Sequence, residues 1–359
     1  MAKAVKAIFN GFLEKRIILT LLSAGVLLLG NSFFKRDIWW FLTVFLKSVG
    51  FDIEPGEDSI TLSSSIVQAI CGLILIGLSL WFYFKNKRKN PSKTMHRIWH
   101  SSVEVANYSN VSEDLSDYTI VDHDISLREE MKSLDEKSLA LAVSIQGSKV
   151  SQINNKQDGV NQGELSYWGL AHIPLMFQLA YQIADKTSTS FYELNQNKGQ
   201  WEKVDYNKKP FPNLNVIEDS PNEKASQTDV IVAISVTHQV EDHQVDAVGL
   251  DGVNRYHLQI PNPARNSVIS KNQLDDYKDK FRKLLDTIRV SYPNLKRIHI
   301  FYSGQPSLAF RLGSAISERD ESNKEIWLYN FVGNRYNWKL KLHKHHEESE
   351  FEIIKEDNE

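Results

Sequence analysis

Two long runs without a single charged residue limit what the first quarter of this chain can become. IILTLLSAGVLLLGNSFF occupies Ile17–Phe34, and IVQAICGLILIGLSLWFYF occupies Ile66–Phe84. At 18 and 19 residues, each approaches the roughly 20 that a helix needs to cross a hydrocarbon layer. Both close on aromatic residues, Phe33 and Phe34 in the first and Trp81 to Phe84 in the second, as suits a lipid–water boundary. Two spans are therefore expected, at about 17–34 and 66–84, in a transmembrane module covering residues 1–89. No small-x-small site follows Phe34, so a cleaved leader is not expected.

Charge orients the module. Lys3, Lys6, Lys15 and Arg16 precede the first run, and Lys85, Lys87, Arg88 and Lys89 follow the second. The connection carries Asp52, Glu54, Glu57 and Asp58. Basic flanks stay in the cytoplasm, so both termini are expected there. Residues 38–51 are too short a run to span and hold Trp39, Trp40, Phe41 and Phe45. They read as an interfacial helix, with a re-entrant segment as the alternative. Neither run contains Asp, Glu, Lys, Arg or His, which argues against a proton relay.

The chain of 359 residues has room for two or three folding units. Its net charge of -3 is too mild to imply a surface that coats polymeric nucleic acid, and no such partner is expected. Cys71 is the only cysteine, so neither an intrachain disulfide nor a cysteine zinc site can form. Residues 90–137 are polar and rich in Ser, Asp and Glu, and read as a linker leading into the C-terminal domain. Asp122-His123-Asp124 within it reads as a strand edge or turn, and not as a metal site. His343, His345 and His346 read as a solvated tail.

From residue 138 onward the pattern changes. LALAVSIQG, Leu139–Gly147, reads as a strand ending in a Gln-Gly turn. HIPLMFQLAYQIAD, His172–Asp185, has helical spacing with Pro174 in the first turn. TSFYELNQ is a strand, and Trp201 follows. The C-terminal part repeats this order: RIHIFYSG as a strand, QPSLAFRLGSAI as a Pro-started helix, KEIWLYNF as a strand, then Trp338. Phe177 aligns with Phe310, Leu179 with Leu312 and Ile183 with Ile316. The duplication implies two related α/β units, 138–210 and 226–342, within a domain of 138–359. DVIVAISVTHQV and the helical QLDDYKDKFRKLLDTIRVSY lie between them. Strands alternating with helices predict mostly parallel sheets with both faces covered.

Motifs for chemistry are missing. There is no GxGxxG, no GxxxxGK[ST], no GxSxG and no HExxH. No catalytic residue, metal or cofactor is assigned, and an enzyme is not expected.

SVTHQV after a buried strand, IHIFYSGQPSLAFRLGSAI and EIWLYNF together resemble the SAVED domain of bacterial antiphage CBASS systems, over roughly Ser138–Leu342. With two spans in front, the chain resembles a transmembrane SAVED effector. The resemblance implies an α/β fold of two fused CARF-like Rossmann units. It also implies a cyclic di- or trinucleotide ligand made by a partner nucleotidyltransferase. Ligand-driven self-association and disruption of the bacterial inner membrane, with death or arrest of the cell, would follow. A membrane-tethered ring nuclease and a non-enzymatic membrane scaffold with a protein-binding domain are the alternatives.

Ligands of open α/β sheets bind beyond the carboxyl ends of the strands, and helix N-termini accept phosphate without a lysine. The expected ligand residues are therefore Gln146 and Gly147, Thr237 and His238, and Ser303, Gly304, Gln305, Pro306 and Ser307. Trp168 and His172 precede the matching helix of the first unit, and Tyr329 is expected to stack on a base.

Overall fold

The computed structural model describes residues 18–29, 62–87, 93–103, 111, 115–157, 163–183, 189–195, 198–207, 209–317, 324–345 and 350–355. The chain divides into two units, Met1–Ser92 and Lys93–Glu359. The segment 38–51, the charged flanks of the first apolar run, the acidic connection and His346 lie outside the described residues.

In the first unit, helix α1 covers residues 18–29 and helix α2 covers Leu62–Lys87. They pack as an antiparallel pair. A side-chain carbon on Gly25 would fall 2.8 Å from the Gly72 carbonyl, and one on Gly72 would fall 2.8 Å from the Gly25 carbonyl. Only glycine allows this approach, the small-residue contact that brings helices together in an apolar medium. Near one end Ser79 Oγ donates to the Ile18 carbonyl at 3.0 Å. The large side chains point away from the seam: Leu19, Val26, Leu73, Ile74 and Trp81 are all more than half exposed. Among the described residues, no helix is long and apolar enough to cross a membrane.

The second unit holds two sheets. The first has the order β2-β1-β3-β4-β5, from β1 (Lys93–Ser101), β2 (Tyr118–Ser126), β3 (Glu164–Leu170), β4 (Thr189–Asn195) and β5 (Gln200–Lys203). Only β5 runs antiparallel to its neighbour. The second sheet has the order β12-β11-β10-β9-β7-β8-β6. Its strands are β6 (Asn215–Asp219), β7 (Asp229–Ser235), β8 (Arg255–Gln259), β9 (Arg297–Ser303), β10 (Glu325–Val332), β11 (Arg335–Lys341) and β12 (Glu350–Ile353). The central β10-β9-β7-β8 block is parallel. Helices α3 (Glu136–Gln157), α4 (Ile173–Ile183), α5 (Lys271–Ser291) and α6 (Pro306–Gly313) cover the sheets.

Two expectations are corrected. Leu139–Gly147 is helix, not strand. Leu139, Ala142, Val143, Gln146, Val150 and Ile153 are buried, a spacing of three and four that only a helix places on one face. Asp135 starts it, its Oδ1 accepting from Ser138 N at 2.9 Å, the capping role that favours Asp. The stretch 90–137 is not a linker. It supplies β1 and β2, and β1 sits between β2 and β3 inside the sheet. The first α/β unit thus begins at Lys93 and not at 138, and the second sheet reaches past 342 to Ile353. Within that stretch Glu130–Lys132 forms a single helical turn.

The two α/β units meet through α4 and α6. A side-chain carbon on Gly313 would lie 2.7 Å from the Phe177 carbonyl and 2.9 Å from Ala180 Cβ, so glycine sets how closely the helices cross. Their rings are exchanged. Phe310 of the second unit packs on Tyr167 of the first, with centroids 4.2 Å apart. Phe177 of the first packs edge-on against Tyr302 of the second at 5.5 Å. The repeat read from the sequence is therefore also an approximate reciprocal contact.

Candidate ligand-binding site

The carboxyl ends of β7 and β9 are tied into one knot. Ser303's carbonyl accepts from Val236 N at 2.8 Å and Thr237 N at 3.0 Å. Its hydroxyl accepts from His238 N at 3.0 Å and meets Thr237 Oγ1 at the same distance. His238 Nδ1–H donates to the Thr237 carbonyl at 2.7 Å, which leaves Nε2 on the open side of the ring. One residue earlier, Ser235 Oγ accepts from Val240 N at 2.8 Å and lies 2.7 Å from His257 Nε2. Burial lowers the pKa of His257. Short hydroxylated side chains thus hold the two strand ends level with each other.

A cavity of about 380 Å³ opens on this knot. Thr237, His238 and Gln239 form one wall, and Tyr302, Ser303 and Gly304 the floor. The β10–β11 hairpin adds Phe331, Asn334 and Tyr336, and α4 adds Ile173, so both α/β units contribute. The hairpin turns at Gly333 and Asn334, both with positive φ (61° and 69°), as a two-residue type I′ turn requires. Among the described residues, no lysine or arginine lines the cavity. Its surface of amides, hydroxyls and ring faces is suited to a flat polar heterocycle.

Gly304 is demanded by its neighbour. A Cβ there would run into the Tyr302 phenol, whose hydroxyl donates to the Gln305 carbonyl at 2.7 Å. The first unit repeats the device, with Gly169 against the Tyr167 phenol.

Of the twelve expected ligand residues, Thr237, His238, Ser303 and Gly304 meet at the cavity. The others lie elsewhere. Gln146 and Gly147 sit in α3, where Gln146 Nε2 donates to the Leu175 carbonyl at 3.0 Å. Gln305 turns inward and bonds both main-chain groups of Val268, at 2.6 and 3.2 Å. Pro306 and Ser307 begin α6, but the Ser307 N–H already donates to Glu193 Oε1 at 2.7 Å. Trp168 is fully buried and stacks on Tyr192 at 3.8 Å. Tyr329 is buried against Phe301 and bonded to His299 Nδ1 at 2.9 Å. His299 in turn reaches Asp229 Oδ1 at 3.0 Å. Despite burial, which raises it, bonds from His299, Thr228 and Arg297 hold the Asp229 carboxyl well below its usual range.

His172 stands at the start of α4, its N–H donating to Ser102 Oγ at 2.7 Å and its Nδ1 2.6 Å from the same hydroxyl. Burial lowers its pKa to about 4. Both helix starts expected to hold phosphate thus already have internal partners, Ser102 for α4 and Glu193 for α6. A carboxylate alone inside an aromatic strand, as in SFYELN, was the one available signal for Glu193. Phe331 and Asn334 were marked only by the Gly-Asn turn dipeptide.

A larger cleft, about 620 Å³, lies at the opposite, amino end of the second sheet among Lys296, Arg297, Lys324 and Lys341. Arg297 is paired there with Asp229 at 2.6 Å, and Lys341 with Glu350 at 2.5 Å. Among the described residues no cluster of His, Cys, Asp or Glu is placed to hold a metal ion. Asp122 is taken by Arg97 at 2.6 Å and His123 lies 3.0 Å from His96 Nδ1.

Comparison with known proteins follows the sheets. The sequence model of the family described as SAVED, SMODS-associated and fused to various effectors sensor domain, matches residues 151–342. Among solved structures, one is the Acinetobacter baumannii Cap4 SAVED/CARF-domain containing receptor with the cyclic trinucleotide 2'3'3'-cAAA, at 16% identity and a TM-score of 0.44. That match covers 77% of this chain and 58% of the receptor. The same receptor with 3'3'3'-cAAA matches at 16% identity and 0.43, over 84% of this chain and 65% of that one. The chain thus spans less than two thirds of that receptor. No curated protein matches.

Proposed function

The chain belongs to the SAVED family of sensor domains, and from that premise we propose that it is a cyclic-oligonucleotide sensor of antiphage defence joined to a membrane module. The observation that carries the reading is the cavity at the carboxyl ends of β7 and β9. It lies where open α/β sheets receive ligands, and its ring faces and amides match a nucleobase. The ligand class is a cyclic di- or trinucleotide, supplied by a nucleotidyltransferase that joins nucleotides into a ring. No cofactor and no catalytic step is part of the proposal.

The membrane part rests on α1 and α2. Their large apolar side chains face outward while glycine and serine face the seam. A pair built this way in water would expose an apolar surface that proteins seldom tolerate, whereas lipid tails would cover it. We place the spans in the bacterial inner membrane with both termini cytoplasmic. Two helices cannot enclose a pore, so ligand binding must gather several copies before the bilayer is breached.

The test is a binding screen of the full-length chain in lipid nanodiscs against cyclic di- and trinucleotides of each linkage. Tight binding of one compound, with a rise in mass in detergent and leakage from liposomes, is expected. A protein that binds none of them would lose the sensor reading. One that stays monomeric with ligand yet still permeabilises liposomes would lose the assembly mechanism.

A further inference from the structure

Among the described residues, the buried tyrosines of the second α/β unit all bond their hydroxyls, with one exception. Tyr277 donates to the Pro212 carbonyl and Tyr302 to the Gln305 carbonyl, each at 2.7 Å. Tyr329 meets His299 Nδ1 at 2.9 Å, and Tyr256 and Tyr292 meet each other at 3.4 Å. The Tyr336 hydroxyl has no such partner among the described residues. Yet Tyr336 is only 4% exposed, its ring edge-on to Phe301 at 4.7 Å and to Phe331 at 5.0 Å. Phenylalanine would pack there equally well, because tyrosine differs from it only by the polar tip. Buried polar groups are almost always bonded, so an orphan one points to a partner that the chain does not supply. Tyr336 lines the cavity at the ends of β7 and β9.

Other neutral groups around that cavity are open as well. Gln244, half-buried in the short helix Asp242–Val245, and Asn334, in the hairpin turn, have no side-chain partner among the described residues. His238 commits Nδ1 to the Thr237 carbonyl and keeps Nε2 open. A phosphate placed among these groups would lose its water without meeting a countercharge. A cavity of about 380 Å³ has room for a nucleoside, but not for a closed ring of nucleotides.

We propose that the cavity takes one base of the ligand, with its ribose, while the phosphates stay outside the rim, and that the Tyr336 hydroxyl, with the amides of Gln244 and Asn334, reads the edge of that base. The proposal rests on the sensor reading above and names the part of the ligand that this site selects. Burial holds the Tyr336 phenol above its ordinary ionisation range. It therefore remains an O–H, able to donate to a ring nitrogen or a carbonyl of the base.

The experiment compares wild type, Tyr336→Phe and Gln244→Ala in the full-length chain in lipid nanodiscs. The panel of cyclic di- and trinucleotides is titrated by calorimetry. Adenosine, guanosine, cytidine and uridine are then added as neutral competitors, with inorganic pyrophosphate beside them. At least one nucleoside is expected to compete, and pyrophosphate is not. Tyr336→Phe is expected to weaken the tightest cyclic nucleotide about fivefold to tenfold, the net contribution of one neutral hydrogen bond. It should narrow the preference between bases by the same factor. Gln244→Ala should weaken the same ligand at least about threefold. The unfolding midpoint of Tyr336→Phe should match wild type, because no internal bond is lost, whereas Tyr329→Phe gives up its bond to His299 and should unfold earlier. A cyclic nucleotide that binds Tyr336→Phe within about twofold of wild type, or that no nucleoside displaces, would overturn the base reading and leave the sensor reading standing. Wild type that binds no cyclic nucleotide would sink the sensor reading. A nucleoside that then still binds wild type more tightly than Tyr336→Phe would keep the cavity as a nucleoside site, and nucleosides bound equally or not at all would overturn both.

Discussion

The two α/β units share a plan but finish their strands differently. In both, a tyrosine two residues before a glycine lies under the strand end, Tyr167 with Gly169 and Tyr302 with Gly304. In the second unit that end opens on a cavity ringed by hydroxyls and amides. In the first, the strand ends carry a sealed aromatic cluster of Trp168, Tyr192 and Trp201, with Trp99 packed against it. His100 is buried on β1, its Nδ1 3.1 Å from the Tyr167 hydroxyl. The same backbone device thus supports a binding face in one copy and a core in the other, and the side chains at the rim decide which.

The reciprocal rings are the strongest test of the shared plan. Phe310→Ala removes the contact with Tyr167, and Phe177→Ala removes the contact with Tyr302. Each is expected to cost about 3–5 kcal/mol in urea unfolding, the usual range for a fully buried phenylalanine. The two losses should agree within about 1 kcal/mol if the exchange is energetically symmetric. A loss of less than about 1 kcal/mol at either site would break the comparison. Gly304→Ala and Gly169→Ala come next, at about 3 kcal/mol each, because a Cβ has no room beside either phenol. Adding Tyr302→Phe to Gly304→Ala should recover only part of the loss, since a ring carbon also stands in the way.

These residues also mark what the sequence made legible. The Pro-started helix, aromatic strand and Trp of the repeat, the helices Ile173–Ile183 and Lys271–Ser291, and the strands through Val232, Ile300 and Leu328 were legible, but the opening strand of the first repeat is β3 and not Leu139–Gly147. The β1 and β2 strands did not announce themselves. His96, His100, Asp122 and His123 break the apolar alternation, and their interior partners become visible only once β1, β2 and β3 pair. Leu139–Gly147 was ambiguous because a short apolar run suits either a buried strand or a helix; the capping Asp135 and the buried Gln146 settle it as a helix. At the site, glycine and hydroxyl residues at strand ends were readable from local chemistry. Glu193 was not, because its partner Ser307 lies 114 residues away and only the packing of two sheets brings them together.

Within the first unit, two buried groups respond to acid in opposite ways. Burial lowers His100 from 6.5 to about 3, with Gln146 opposing and His172 adding to the shift. The unfolded chain then takes up a proton that the folded one refuses, so stability falls as pH drops from about 6.5 toward 3. Burial raises Glu193 from 4.5 to about 7. The folded chain holds that proton longer than the unfolded one, so this contribution is complete below pH 4.5 and is lost as pH rises through 7. The full shifts correspond to about 5 kcal/mol for His100 and about 3 kcal/mol for Glu193. Glu193→Gln should therefore gain on wild type between pH 5 and pH 8, and His100→Asn between pH 6.5 and pH 4. Unfolding curves at these pH values measure it, and parallel shifts of wild type and variant would refute the assignments.

The smallest expected effect separates an open rim from a closed one most directly. Phe331 is 40% exposed beside the cavity, at the tip of a hairpin whose turn is satisfied by Gly333 and Asn334. Removing its ring should barely change unfolding. If the ring stacks on a ligand base, Phe331→Ala should weaken binding about tenfold, near the low end of what base–aromatic stacking contributes. Trp168 sits at the corresponding end of the first sheet, yet is fully enclosed. Trp168→Phe should do the reverse, lowering stability while leaving affinity within about twofold of wild type. Titrations and melts on the same two variants decide between the assignments. An affinity loss in Trp168→Phe as large as in Phe331→Ala would mean that the first unit also receives ligand, and that its aromatic cluster opens on binding.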